Sequence, residues 1–204
     1  NVKMSKSLGN FFTVRDVANE YGYEPIRYFL ISSHYRSPIN YSVDIIEQCK
    51  ASLVRLYNCR ESLDFAMKNA TDTVPANADE IKAKLASRKD QFITAMDDDL
   101  NTADAITAIF ELVKDINTTV ITDTPNKELV ELSTTLFDEL TGVLGLVYNR
   151  KTESLDDEIE KLIEARTQAR KDRNWAEADR IRDELKAQGI VLEDTPQGVK
   201  WHRE

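Results

Sequence analysis

From Ser42 to Leu144 apolar residues return every three or four positions, interrupted only where turn-forming residues cluster. That spacing gathers apolar side chains on one stripe of an α-helix and would scatter them over both faces of a strand. Stripes must pair to leave water, and short connections make neighbouring helices antiparallel. The period therefore predicts a mainly α fold built on an antiparallel helical bundle. Ser42 opens the first long helix, with Ile45, Ile46, Cys49, Leu53, Leu56, Tyr57 and Leu63 inward. Residues 70–78, holding Pro75, read as a loop. A second helix from about Asp79 turns Ile81, Leu85, Phe92, Ile93 and Met96 inward, and Asp97-Asp98-Asp99 ends it. Thr102 is placed to cap a third, carrying Ile106, Ile109, Phe110, Val113 and Ile116. After a break at 123–125 a fourth uses Leu129, Leu132, Leu136, Phe137, Leu140 and Leu144, stopping near Gly145.

The flanks differ from this middle. Residues 1–12 have loop chemistry; Thr13 then caps a short helix with Asp16 in its first turn, and Gly22 ends it. Pro25 stands where a first helical position tolerates proline, and Ile26, Phe29 and Leu30 follow as an apolar stripe. Beyond the polar stretch 149–154, Ser154 starts a helix through Leu162 and Ile163. Asn174 with Glu177 signs the start of another, which Gly189 stops. The period then drops to two in Ile190-Val191-Leu192 and Val199-Lys200-Trp201, around the turn tetrad Thr195-Pro196-Gln197-Gly198. Two helices and a β-hairpin make a small α+β module. The chain divides into a leading segment over 1–40, the bundle over 41–150 and the module over 151–204.

The 204 residues carry a net charge of −9, which speaks against generic polyanion binding but leaves room for a local basic patch. No apolar run is long enough to cross a bilayer, and the start lacks a signal-peptide profile. Cys49 and Cys59 stand ten positions apart on one predicted helix. That is roughly 15 Å at 1.5 Å per residue, too far for a disulfide. They read as reduced thiols of a cytoplasmic protein. With His34 and His202 far from both, no Cys/His group has zinc spacing.

Chemistry concentrates at two places. Lys3-Met4-Ser5-Lys6-Ser7 puts two ammonium groups on a loop with hydroxyls and a nearby glycine. Such a loop can close over a triphosphate and strengthen its contacts as charge builds on leaving pyrophosphate. At the other end, Arg166, Arg170 and Arg173 fall at i, i+4 and i+7, as one helix edge would present them. Trp175 and Asp179 follow. Aromatic or arginine stacking with carboxylates on base edges is how unpaired RNA is read; the same residues could equally plug a core and pair with Glu164, Asp172 and Asp183. Asp97–Asp99 could hold Mg²⁺ or Ca²⁺, but charge at the start of the third helix is the preferred reading.

The pentapeptide is letter for letter the KMSKS signature of class I aminoacyl-tRNA synthetases. Glu24-Pro25-Ile26-Arg27-Tyr28-Phe29-Leu30 resembles that class's Asp-Ala-Leu-Arg entry to its helical anticodon-side domain, as a packing element in which Arg27 pairs locally. The stretches 33–41, 95–103, 172–179 and 189–194 resemble the cysteinyl-tRNA synthetases. That resemblance implies an enzyme joining cysteine to its tRNA through an adenylate made from ATP with Mg. Lys6 then acts first and Lys3 second in catalysis, with Ser5 and Ser7 beside the ATP phosphates. Arg170, Trp175, Asp179 and Asp194 match anticodon-contacting positions, and Arg166 and Arg173 join them as tRNA-binding candidates. No metal ligand is expected here. The family's zinc site and its His-Ile-Gly-His-like tetrad belong to a nucleotide-binding half absent from this sequence, so the chain reads as a C-terminal fragment, inactive alone. Two alternatives stay open: a helical RNA-binding or interaction module, and a related ligase joining cysteine to an amino-sugar, against which residues 155–204 weigh.

Overall fold

Thr13 opens a capping box. Its hydroxyl accepts the Asp16 N–H at 3.1 Å, and the Asp16 carboxylate takes the Thr13 N–H at 2.9 Å. The computed structural model describes residues 13–150, 153–195 and 198–203. Helix α1 (Val14–Tyr21) ends at Gly22, whose φ of +83° an L side chain would resist. Helix α2 (Tyr23–Ile31) follows at once, with Pro25 its third residue rather than its first.

The bundle is α3 (Val43–Lys68), α4 (Ala78–Asp97), α5 (Thr102–Asp115) and α6 (Lys127–Val143). Ser42 caps α3 by accepting the Ile45 N–H, as expected. The cap of α5 is Asn101, which accepts the Asp104 N–H; Thr102 is already inside the helix. Helix α5 runs on into a π-helical turn, Ile116–Val120, which periodicity did not foresee. Leu56, Leu63, Leu85, Ile109, Leu112, Phe137 and Leu140 form a core that excludes water almost completely, and Val17, Ile26 and Phe29 join α1 and α2 to it. Three residues of the expected apolar stripes lie outside it: Leu30, Ile93 and Leu132 are exposed. Ile93 is about 100° around α4 from Phe92, and the stripe continues through Ala95 and Met96 instead.

Three buried charged residues lock elements together. Asp115 takes Arg88 at 2.7 Å and Lys84 at 2.8 Å, clasping α5 to α4. Arg60 on α3 reaches Asp138 on α6 at 2.8 Å and pairs with Asp64. Glu24 on α2 accepts from Tyr57 on α3 and from the backbone after α6. That backbone turns at Gly145, where φ is +64° and an added Cβ would lie 2.8 Å from the Arg27 guanidinium. Arg27 lies against Gly145 and 6.0 Å from the Tyr148 ring centre, a packing role across the chain rather than the local pairing expected.

Helices α7 (Glu153–Lys171) and α8 (Trp175–Ala187) pack against each other and carry an antiparallel hairpin. Its strands are β1 (Ile190–Thr195) and β2 (Gly198–Arg203), with Ile190 opposite Arg203 and Thr195 opposite Gly198. Ile159, Ile181, Leu185 and Ile190 form a second, smaller core edged by Leu162, Leu192 and Trp201, and β2 lies along α3. Cys49 and Cys59 are buried free thiols, and burial pushes the Cys49 thiol above its ordinary value. No helix among the described residues is long and apolar enough to cross a membrane.

Candidate nucleic-acid interface

The corner between α7 and α8 is made by two caps set back to back. The Asn174 N–H returns to the Ala169 carbonyl at 2.8 Å and the Arg173 N–H to the Arg170 carbonyl at 3.1 Å, the paired bonds of a Schellman ending. The residue that must turn left-handed there is Arg173, with φ +58°, where glycine would be the relaxed choice. Asn174 then caps α8, its side-chain oxygen accepting the Glu177 N–H at 3.3 Å. Trp175 is thereby presented at the first position of α8, 58% exposed. Trp201, by contrast, sits half-buried at the edge of the small core.

The three arginines do not share an edge. Ile159, Leu162, Ile163, Arg166 and Ala169 follow one helical stripe, and Arg166 is buried on it while Arg170 is exposed. Both hold interactions within the protein. Arg173 lies beyond the end of α7, exposed, in the turn itself. One turn into α8, Asp179 is exposed, with Arg182 at 3.7 Å. Arg180 is bound on both sides, by Glu177 at 2.7 Å and Glu184 at 2.9 Å, and it holds the Glu177 carboxyl below the usual carboxylate range. Asp194 lies on β1 opposite Val199. The corner therefore brings Arg170, Arg173 and Trp175 together at the positive end of the α8 dipole. Lys3, Ser5, Lys6 and Ser7 lie outside the described residues.

A second exposed arrangement escaped the sequence reading. Asp99 does not cap α5. Its carboxylate accepts the Tyr35 hydroxyl at 2.9 Å, pairs with Arg36 at 3.1 Å and lies 3.8 Å from His34 Nε2. The His34 ring stacks on Tyr35 with centres 4.8 Å apart, and the Arg36 guanidinium sits 5.4 Å from the Tyr35 ring centre. His34 Nδ1 accepts the Arg36 N–H at 3.3 Å, a local structural bond. Asp99 and Leu100 both take left-handed backbones, φ +54° and +55°. Each such residue costs about 1–2 kcal/mol, and an exposed ion pair returns about 0–1 kcal/mol. The turn also closes α4: the Leu100 N–H returns to the Met96 carbonyl and the Asn101 N–H to the Ala95 carbonyl, both at 3.1 Å. Among the described residues no group of three or more Asp, Glu, His or Cys is arranged to hold a metal ion.

Comparison with known proteins finds three family models along the chain. Residues 1–51 match the family model for the class I (C) tRNA synthetase catalytic domain, 91–148 the DALR domain, and 152–201 the cysteinyl-tRNA ligase anticodon binding domain. The chain is 47% identical over 205 residues to a cysteine–tRNA ligase of Caldicellulosiruptor saccharolyticus, and 48% identical over 204 to that of Lachnospira eligens. Both alignments cover 100% of this chain, and one at 48% with the Clostridioides difficile enzyme covers 98%. The chain spans 43% of the length of each relative. With identity near one half over nearly the whole chain, and one of the three matched segments described as a cysteinyl-tRNA ligase domain, the chain belongs to the cysteinyl-tRNA synthetase family.

Proposed function

We propose that this chain supplies the tRNA-reading surface and the ATP-phosphate loop of a cytoplasmic enzyme that joins cysteine to its tRNA through an adenylate. The observation that carries the proposal is the exposed Trp175 at a basic corner, within the segment that matches an anticodon binding domain. An exposed indole beside two exposed guanidiniums suits stacking with unpaired bases. Arg170, Arg173, Trp175, Asp179 and Asp194 are the proposed contacts, with carboxylates accepting from base edges. Arg166, inside the module, supports them by positioning.

Lys6, with Lys3 secondary and Ser5 and Ser7 beside it, is the proposed phosphate contact for ATP and its Mg. Ammonium groups that meet the β and γ oxygens more strongly as pyrophosphate departs lower the barrier without tightening ground-state binding. Cysteine selection, and any zinc that serves it, is assigned to sequence beyond this chain. We place the working boundaries near residues 40 and 150.

The test is binding at constant salt of a cysteine tRNA transcript, compared with the same transcript carrying altered anticodon bases. The cognate RNA is expected to bind more tightly, and Trp175→Ala to weaken it by about tenfold, as for loss of one stacked base. Equal affinity for every anticodon variant would favour a general helical interaction module instead.

A further inference from the structure

On the connector between α2 and α3 the His34 ring stacks on Tyr35, the Arg36 guanidinium lies over the Tyr35 ring, and one carboxylate, Asp99, reaches all three side chains. The stack is exposed: Tyr35 is 60% open and the Arg36 side chain 69%. The Arg36 guanidinium is thus open to water and already held by a charged partner. Ordering an exposed aromatic and an exposed arginine costs side-chain freedom, and surface ion pairs return little of it. The turn that brings Asp99 into place adds two left-handed residues, Asp99 and Leu100.

We infer that this stack receives an unpaired nucleobase from the acceptor end of the RNA, laid against the open face of Arg36. The inference rests on the tRNA-reading function proposed above. A planar guanidinium backed by an aromatic ring is a platform for any base, since every base has a π-face. The place in the chain selects the acceptor end. Residues 34–36 fall within the segment matched by a class I catalytic domain, whereas the anticodon-binding match begins at residue 152. The end of a tRNA that receives an amino acid is the end that must reach the catalytic domain.

The test uses the 204-residue chain and two RNAs: a cysteine tRNA transcript with 2-aminopurine as its last unpaired base, and the same transcript without its unpaired 3′ nucleotides. Binding of the first should quench the 2-aminopurine. Arg36→Ala should relieve that quenching and weaken binding about tenfold, while leaving affinity for the shortened RNA unchanged. Asp99→Asn should give an intermediate loss, since the plane stays but its fixing partner weakens. Full recovery in Arg36→Lys would overturn base stacking in favour of a phosphate contact. Equal losses on both RNAs, or no loss on either, would overturn the acceptor-end assignment; if Trp175→Ala still weakened binding, the proposed function would survive it. Failure of every RNA to bind would overturn both.

Discussion

Glu24 accepts the backbone N–H of Val147 at 2.5 Å, joining residues 123 apart in sequence. Its other oxygen takes the Tyr57 hydroxyl at 2.7 Å, and Tyr57 in turn accepts the Asn149 N–H at 3.0 Å. Burial and the Glu24 carboxylate push the Tyr57 phenol well above its ordinary value. Val147 is held left-handed, φ +58°, an unusual state for a β-branched residue. One carboxylate thus fixes α2, α3 and the strained turn that leads out of α6.

Removing that carboxylate leaves a buried N–H without its acceptor. Glu24→Ala should cost about 1–3 kcal/mol, read as a lowered urea midpoint at unchanged m-value. Tyr57→Phe should cost less. The double variant should lose less than the sum, because the two side chains share one network. Simple additivity would show that they act independently.

Asp115 supplies a prediction about pH. Burial alone would raise its carboxyl, but hydrogen bonds from Arg88 and Lys84, with their charges, outweigh that and hold it below the ordinary value. A carboxyl depressed in the folded state stabilises the fold above its unfolded pKa, near 3.9, and the contribution is lost as pH falls through the folded value. Melting temperature should therefore decline below about pH 4, and Asp115→Asn should decline less over the same range. At pH 7 that variant should lose about 3 kcal/mol or less, the lower end for breaking a buried pair, because Lys84 is partly exposed. A parallel acid decline in both proteins would remove Asp115 from the account.

Much of the fold was legible because it rests on signals within one turn of helix: the caps at Thr13, Ser42 and Asn174, the stop at Gly22, and the fall to period two at Ile190. Partnerships across the chain were not legible. Glu24 with Val147, Arg60 with Asp138, and Asp99 with Tyr35 join residues 123, 78 and 64 positions apart, and no local spacing announces them. Asp99 was read as a cap because adjacent charge at a helix start is a common local pattern, whereas its partners come from another element. At the candidate interface the residue types were legible but not their facing. Arg166 follows the stripe of Ile159 and Leu162 inward, and Arg173 was assigned to a helix that ends before it.

Arg173 should show stability and binding moving in opposite directions. Its left-handed backbone suits glycine, and its side chain is exposed. Arg173→Gly should leave the protein as stable or more stable, by up to about 1 kcal/mol, while weakening tRNA. Thermal melting and binding on one preparation check this; loss of both would assign the arginine a structural role.

Lys6 is tested in a full-length enzyme of this family. Lys6→Ala should lower adenylate formation at least a hundredfold, with much less change in ATP affinity, as for a contact made mainly in the transition state. An unchanged rate would remove Lys6 from the chemistry.

Among the described residues the α7–α8 module is built on six buried apolar side chains, Ile159, Ala169, Ala178, Ile181, Leu185 and Ile190, two of them only alanines, with its strand β2 set along α3. A core of that size falls short of what an independent domain of comparable length needs. The corner that presents Trp175 is therefore not a portable cassette. A chimera that transplants residues 153–203 onto a foreign scaffold would have to bring the neighbouring surface of α3 as well, or receive a peptide that has lost its shape.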